Sequence, residues 1–79
     1  MATYLEELGA RLRAVRHWRG LSLESVQVLS EGRFHPSTVG SWERGTRAVT
    51  VERLAELAGL YGVPAADLIV PAPQGQVDG

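Results

Sequence analysis

A proline and a glycine nine positions apart, Pro36 and Gly45, set the tightest constraint on this chain. Between and around them the sequence reads His35-Pro-Ser-Thr-Val-Gly-Ser-Trp-Glu-Arg-Gly45. Pro36 suits the first position of a helix, because its missing N–H has no intrahelical partner there. Gly45 suits the position just past the end, where the backbone turns left-handed. The segment therefore predicts one short helix over residues 36–43. With each residue advancing about 100°, Pro36, Ser37, Gly40, Ser41 and Arg44 share an arc of about 140°. Val39 and Trp42 point the other way, flanked by Thr38 and Glu43. Such a helix is intrinsically frail, since Gly40 alone costs roughly 1 kcal/mol against alanine. It holds its shape only if Val39 and Trp42 pin it to a body.

The remaining pattern supplies that body. Leu5, Leu8, Leu12 and Val15 form one stripe of a helix over 4–19, with Glu6 and Glu7 in its first turn and Arg16 and Arg19 in its last, as the helix dipole favours. Gly20 ends it. Ser22 is a good N-cap for a second helix over 23–30, whose apolar side is Leu23, Val26 and Leu29, with Val28 shared. Residues 31–35 make a turn that Phe34 anchors. Thr50 caps a fourth helix, 51–61, with Leu54, Leu57, Ala58 and Tyr61 on one face, and Gly62 stops it. Pro64 opens a short fifth helix reaching Leu68 or Ile69. From residue 71 the composition turns to Pro, Ala, Gln and Gly, which builds no core, so the expected division is a domain over 1–70 and a disordered tail or linker stump over 71–79. The fold class is all-α.

Seventy-nine residues allow one domain at most, and with no cysteine neither a disulfide nor a thiolate metal site supports it. The net charge of −1 hides an uneven distribution. Residues 9–50 hold seven arginines against three acids, whereas the rest of the chain is acidic. All eight cationic residues are arginine, which offers planar bidentate contacts to phosphate or guanine, although a GC-rich genome produces the same bias. The small polar face of the helix after Pro36 therefore has two readings. It packs against another helix, or it admits a partner that approaches the backbone closely, such as the major groove of duplex DNA, about 12 Å wide. His17 and His35 lack metal-ligand spacing, and there is no glycine-rich phosphate loop or nucleophile motif, so neither catalysis, a metal nor a cofactor is expected. No apolar run reaches the roughly 20 residues of a membrane span.

Leu12, Arg16 and Gly20-Leu21-Ser22, then Val39 and Trp42-Glu43-Arg44-Gly45, then Leu54, Leu57 and Gly62-Val63-Pro64, carry a resemblance. In these residues and their order the chain resembles the Cro/cI-like (xenobiotic-response-element type) helix-turn-helix family over residues 4–70. The resemblance implies a compact five-helix, lambda-repressor-like DNA-binding domain, its helix-turn-helix formed by helices 2 and 3. It also implies a sequence-specific transcription regulator, a repressor of developmental genes, working as a homodimer on a palindromic operator in the bacterial cytoplasm at the nucleoid. It further implies that Arg16 and Glu43 pair between helices 1 and 3. Two departures are Gln27, where the family commonly has alanine, and a turn about two residues longer than usual. The competing reading is a protein-interaction module of the same fold, a coactivator bridge or an antitoxin, and an apolar outer patch on helices 4 and 5 would favour it.

On this reading Ser37 and Ser41 reach base edges and nearby phosphate, and Gly40, with Pro36 on the same arc, lets the helix backbone close in on a thymine methyl or sugar. Arg44 touches phosphate or caps its own helix. Arg33 and Arg47 grip phosphate or read a groove from the flanking loops. His35 serves as N-cap and phosphate donor, and Ser22 caps helix 2 at a phosphate-binding terminus. Trp18 and Trp42 are packing residues. Association between copies is expected around Val63, Leu68, Ile69 and Val70.

Overall fold

Each helix begins where a side chain answers its first free N–H groups. In the computed structural model, which describes residues 2–69, these are α1 (Tyr4–Trp18), α2 (Leu23–Leu29), α3 (Pro36–Arg44) and α4 (Val51–Tyr61), followed by one turn of 3₁₀ helix (Ala65–Leu68). Thr3 and Glu6 close a capping box on α1, an arrangement in which each side chain takes the other's backbone N–H. Ser22 accepts from the Ser25 N–H and Thr50 from the Arg53 N–H. His35 caps α3 through Nδ1, which accepts from the Ser37 N–H at 3.2 Å. Gly45 and Gly62 end α3 and α4 with φ of 75° and 71°. The expected fifth helix is thus a single 3₁₀ turn, because Pro64 and the exit at Ile69 leave four residues between them. Residues 71–79, with Val70, lie outside the described residues.

The core is made by Leu12, Val26, Val39, Leu57, Tyr61 and Leu68, each at most 1% exposed, with Phe34 and Trp42 packed beside them. The two rings meet edge to face at 5.9 Å and 70°. Burying each large side chain contributes roughly 2–3 kcal/mol. Four expected packing residues lie outside this core. Leu5 (38% exposed) sits in the first turn of α1, Val28 (75%) and Leu29 (52%) end the short α2 as the chain leaves the body, and Trp18 (73%) ends α1 with the Arg19 guanidinium over its ring at 5.6 Å.

What brings α3 against α1 is Gly9. It is buried, and a Cβ there would overlap the carbonyl oxygens of Trp42 and Glu43. At the end of α3, a Cβ on Gly45 would lie 2.7 Å from Glu6 Cα. The two helices therefore meet backbone to backbone. The turn before α3 is held by Ser30, whose Oγ donates to the Gln27 carbonyl and accepts from the Phe34 N–H, both at 3.0 Å. Its extra length is taken up by Glu31 and Gly32, both left-handed at φ 56° and 84°. Glycine adopts that conformation freely and glutamate does not.

The Tyr61 hydroxyl is buried with no hydrogen-bond partner among the described residues. Burial first, and then the nearby Glu43 charge, push its pKa from 10.0 up to about 12. The folded state thus holds the phenol's proton more tightly than the unfolded chain does. That contribution to stability is complete below pH about 10 and is lost as the pH rises towards about 12. Denaturant titrations across that window should show the decline in the parent and a flatter profile in Tyr61→Phe.

Candidate nucleic-acid interface

Arg16 and Glu43 set the orientation of α3. Arg16 Nε donates to Glu43 Oε2 at 2.6 Å and Nη2 to Oε1 at 2.8 Å, while Nη1 donates to the Leu21 carbonyl at 2.8 Å. The side chains are only 7% and 5% exposed. The hydrogen bond to Glu43 raises the pKa of Arg16 further above its ordinary value, so its charge persists at any ordinary pH. All of the carboxylate's strong partners come from one guanidinium on α1, which ties the last turn of α3 to the body.

With α3 held this way, Trp42 and Val39 face inward and Ser37 and Arg44 face solvent, with Ser41 half-buried between them. Ser37 Oγ pairs with His35 Nδ1 at 2.9 Å, and Ser41 Oγ donates to the Ser37 carbonyl at 3.0 Å. Each hydroxyl keeps a free lone pair. With Nδ1 of His35 turned to the Ser37 N–H, Nε2 is the ring nitrogen left to meet a partner.

Gly40 departs from its expected place. It is buried, and a Cβ there would lie 3.1 Å from Arg44 Nη1 and 3.7 Å from Leu23 Cδ1. The Arg44 guanidinium folds back over it and donates to Ser41 Oγ at 3.4 Å. Gly40 is therefore where α2 crosses α3 and not a bare spot on the outer face, and Pro36 is half-buried along with it. The accessible strip is rotated away from α2, with half-buried Thr38 at its far edge.

A groove of about 250 Å³ lined by Arg13, Arg44, Leu23 and Gly40 runs along one side of the strip. A second, of about 300 Å³, lies along the other and is bordered by Arg33, His35, Thr38, Arg47 and Arg53. Glu56 does not line this groove but holds two of the arginines that do: its Oε2 accepts from Arg33 Nη2 at 2.6 Å and its Oε1 from Arg53 Nη1 at 2.9 Å. The hydrogen bond from Arg53, joined by that from Arg33, holds the Glu56 carboxyl below its usual range. Arg47 makes no ion pair among the described residues. Arg13, Thr38 and Arg53 were not singled out in the sequence. Their positions repeat no motif, and only the placement of α1 and α4 beside α3 brings them here. Ser22 stands apart, its hydroxyl occupied by the Ser25 N–H and the Ser25 hydroxyl.

Two expectations about other surfaces change. Leu68 is completely buried in the chain's own core and is not available to a second copy, whereas Ile69 is exposed and Val63 half-buried. The face of α4 formed by Leu54, Leu57, Ala58 and Tyr61 is turned inward. Among the described residues the large exposed apolar side chains of α4 and the 3₁₀ turn are Val51 and Ile69, at opposite ends of that segment. Among the described residues no helix is long and apolar enough to cross a membrane, and no three His, Asp or Glu side chains are grouped to hold a metal.

Comparison with known proteins accords with this geometry. The chain is 55% identical to a crystal structure of the DNA-binding domain of BldD, with a TM-score of 0.82 over 89% of this chain and all of that one. The BldD DNA-binding domain of S. venezulae matches at the same identity and TM-score over 87% of this chain and all of that one. Comparison with curated protein sequences returns no match. A family model described as a helix-turn-helix domain matches residues 7–68, from within α1 to the end of the 3₁₀ turn. With α2 and α3 joined by the Ser30-braced turn inside that span, the chain belongs to the helix-turn-helix domain family.

Proposed function

We propose that this domain binds duplex DNA as a sequence-specific transcription regulator, with α3 in the major groove. The observation that carries the reading is the strip of exposed Ser37 and Arg44 with half-buried Ser41 between them, on a helix locked to the body by Arg16–Glu43 and flanked by arginines on both sides. The likeness to the DNA-binding domain of BldD at 55% identity supports it. Ser37 and Ser41 meet base edges, His35 Nε2 and Arg44 meet nearby phosphates, and Arg33 and Arg47 grip the backbone on the far side of α3. Pro36 and Gly40 act through the packing of α3 on α2, and Ser22 acts as a cap.

The nine residues of α3 span about 13 Å, the length of about four base pairs. That is too short to define one site, so two copies on half-sites of a palindrome about 34 Å apart complete the recognition. Occupying a promoter in this way excludes other proteins from it, which makes repression the natural output. An apolar outer patch on α4 and the 3₁₀ turn would favour the partner-binding alternative, and the apolar face of α4 is instead turned into the core.

Selecting bound sequences from a random duplex pool tests the reading and yields the operator. A domain that neutralises about four phosphates should lose roughly a hundredfold in affinity between about 50 and 200 mM salt. Ser37→Ala combined with Ser41→Ala should reduce discrimination at the central bases of the half-site by about 1 kcal/mol while leaving non-specific binding intact. Affinity that ignores salt, or a pool that never enriches, would end the proposal.

A further inference from the structure

Building on that DNA-binding reading, we infer that the groove bordered by Arg33, His35, Thr38, Arg47 and Arg53 seats a backbone phosphate of the duplex. Glu56 is its built-in competitor, holding Arg33 and Arg53 until the phosphate displaces it. Three guanidiniums reach this groove from three separate elements: the turn before α3, the connection after it, and the first turn of α4. They stand against one carboxylate, a concentrated positive charge on a chain whose net charge is −1. The carboxylate places one oxygen on each of two arginines, at 2.6 and 2.9 Å, which is the doubly contacted geometry a phosphate would take. Among the described residues Arg47 has no such anion.

The groove also lies where a phosphate would be. A helix with its side chains is about 10–12 Å across and the major groove about 12 Å wide, so the flanks of α3 face the two sugar–phosphate walls. Thr38 of α3 and its cap His35 form part of the rim, next to the open serine strip. The Arg33 and Arg53 side chains are about half exposed, at 56% and 45%, and Glu56 is 34% exposed. Ion pairs this accessible are weak and exchange readily for a better anion. Arg33 and Arg53 are thereby held in place before DNA arrives, and Glu56 weakens binding to every sequence alike.

The test uses the full chain and a fluorescein-labelled, random-sequence duplex of about three helical turns, with anisotropy titrations at several salt concentrations. Arg53→Gln should weaken binding about five- to tenfold and flatten the plot of log affinity against log salt by about 1. Glu56→Gln should strengthen binding severalfold. An unchanged salt slope in Arg53→Gln overturns the phosphate seat. An affinity in Glu56→Gln at or below that of the parent overturns the competitor. A parent chain that binds no duplex overturns the DNA-binding reading itself, so the failures are distinguishable.

Discussion

Gly9→Ala lowers the melting temperature by at least about 15 °C, corresponding to a loss of at least about 3 kcal/mol in a domain this small. The added methyl meets the carbonyl oxygens of Trp42 and Glu43, which belong to the backbone of α3 and cannot swing aside as a side chain would. Relief requires α1 and α3 to part. Parting them stretches the Arg16–Glu43 pair and lifts Trp42 from its place beside Phe34. By helix propensity alone the same substitution would stabilise α1 by about 1 kcal/mol, so the sign of the result separates the two effects. The fraction that remains folded should also bind DNA less well, because α3 no longer sits at its proper angle. A circular-dichroism melt within about 4 °C of the parent would show that the crossing is looser than described.

Glu43→Ala is the second large effect, at about 3–5 kcal/mol. It leaves the Arg16 charge buried at 6% exposure with only the Leu21 carbonyl as a partner. The loss comes mainly from the stranded charge and less from the missing attraction, and a double variant tests this. Arg16→Met combined with Glu43→Leu removes both charges while keeping apolar volume, and should recover most of the stability, short of about 1 kcal/mol for the deprived Leu21 carbonyl. The recovered protein should still bind DNA poorly, because a pair of apolar side chains does not fix the angle of α3 as a bidentate pair does. If the double variant is no more stable than Glu43→Ala, the pair stabilises by attraction and the desolvation argument fails. Full DNA affinity in a stable double variant would remove the orienting role from Arg16 and Glu43.

Much of the architecture was legible because helix ends are local chemistry. Ser22, Thr50 and His35 as caps, with Gly45 and Gly62 as stops, each act within a few residues of themselves and can be read without knowing what lies across the fold. The inward face of α3 was legible for a similar reason, since Val39 and Trp42 have no apolar rival on the other side of the wheel. Thr3 belongs with these local signals, since a threonine three residues before Glu6 is a capping box. The pairing of Arg16 with Glu43 came from family likeness, because 27 residues separate them and no local pattern joins them.

What the chain determined by itself is therefore the set of helices, their ends and the residues each would bury, because these follow from contacts within one or two turns. Only the tertiary structure decided how closely α1 and α3 cross, which side of α3 α2 covers, and which arginines gather beside the open strip. Gly9 looks like a propensity defect until two carbonyls are found against it, and Gly40 looks bare until Leu23 and Arg44 close over it. A helical wheel measures angles within one helix, whereas the exposure of a face depends on where other helices lie. That is settled by packing and charge between residues distant in sequence.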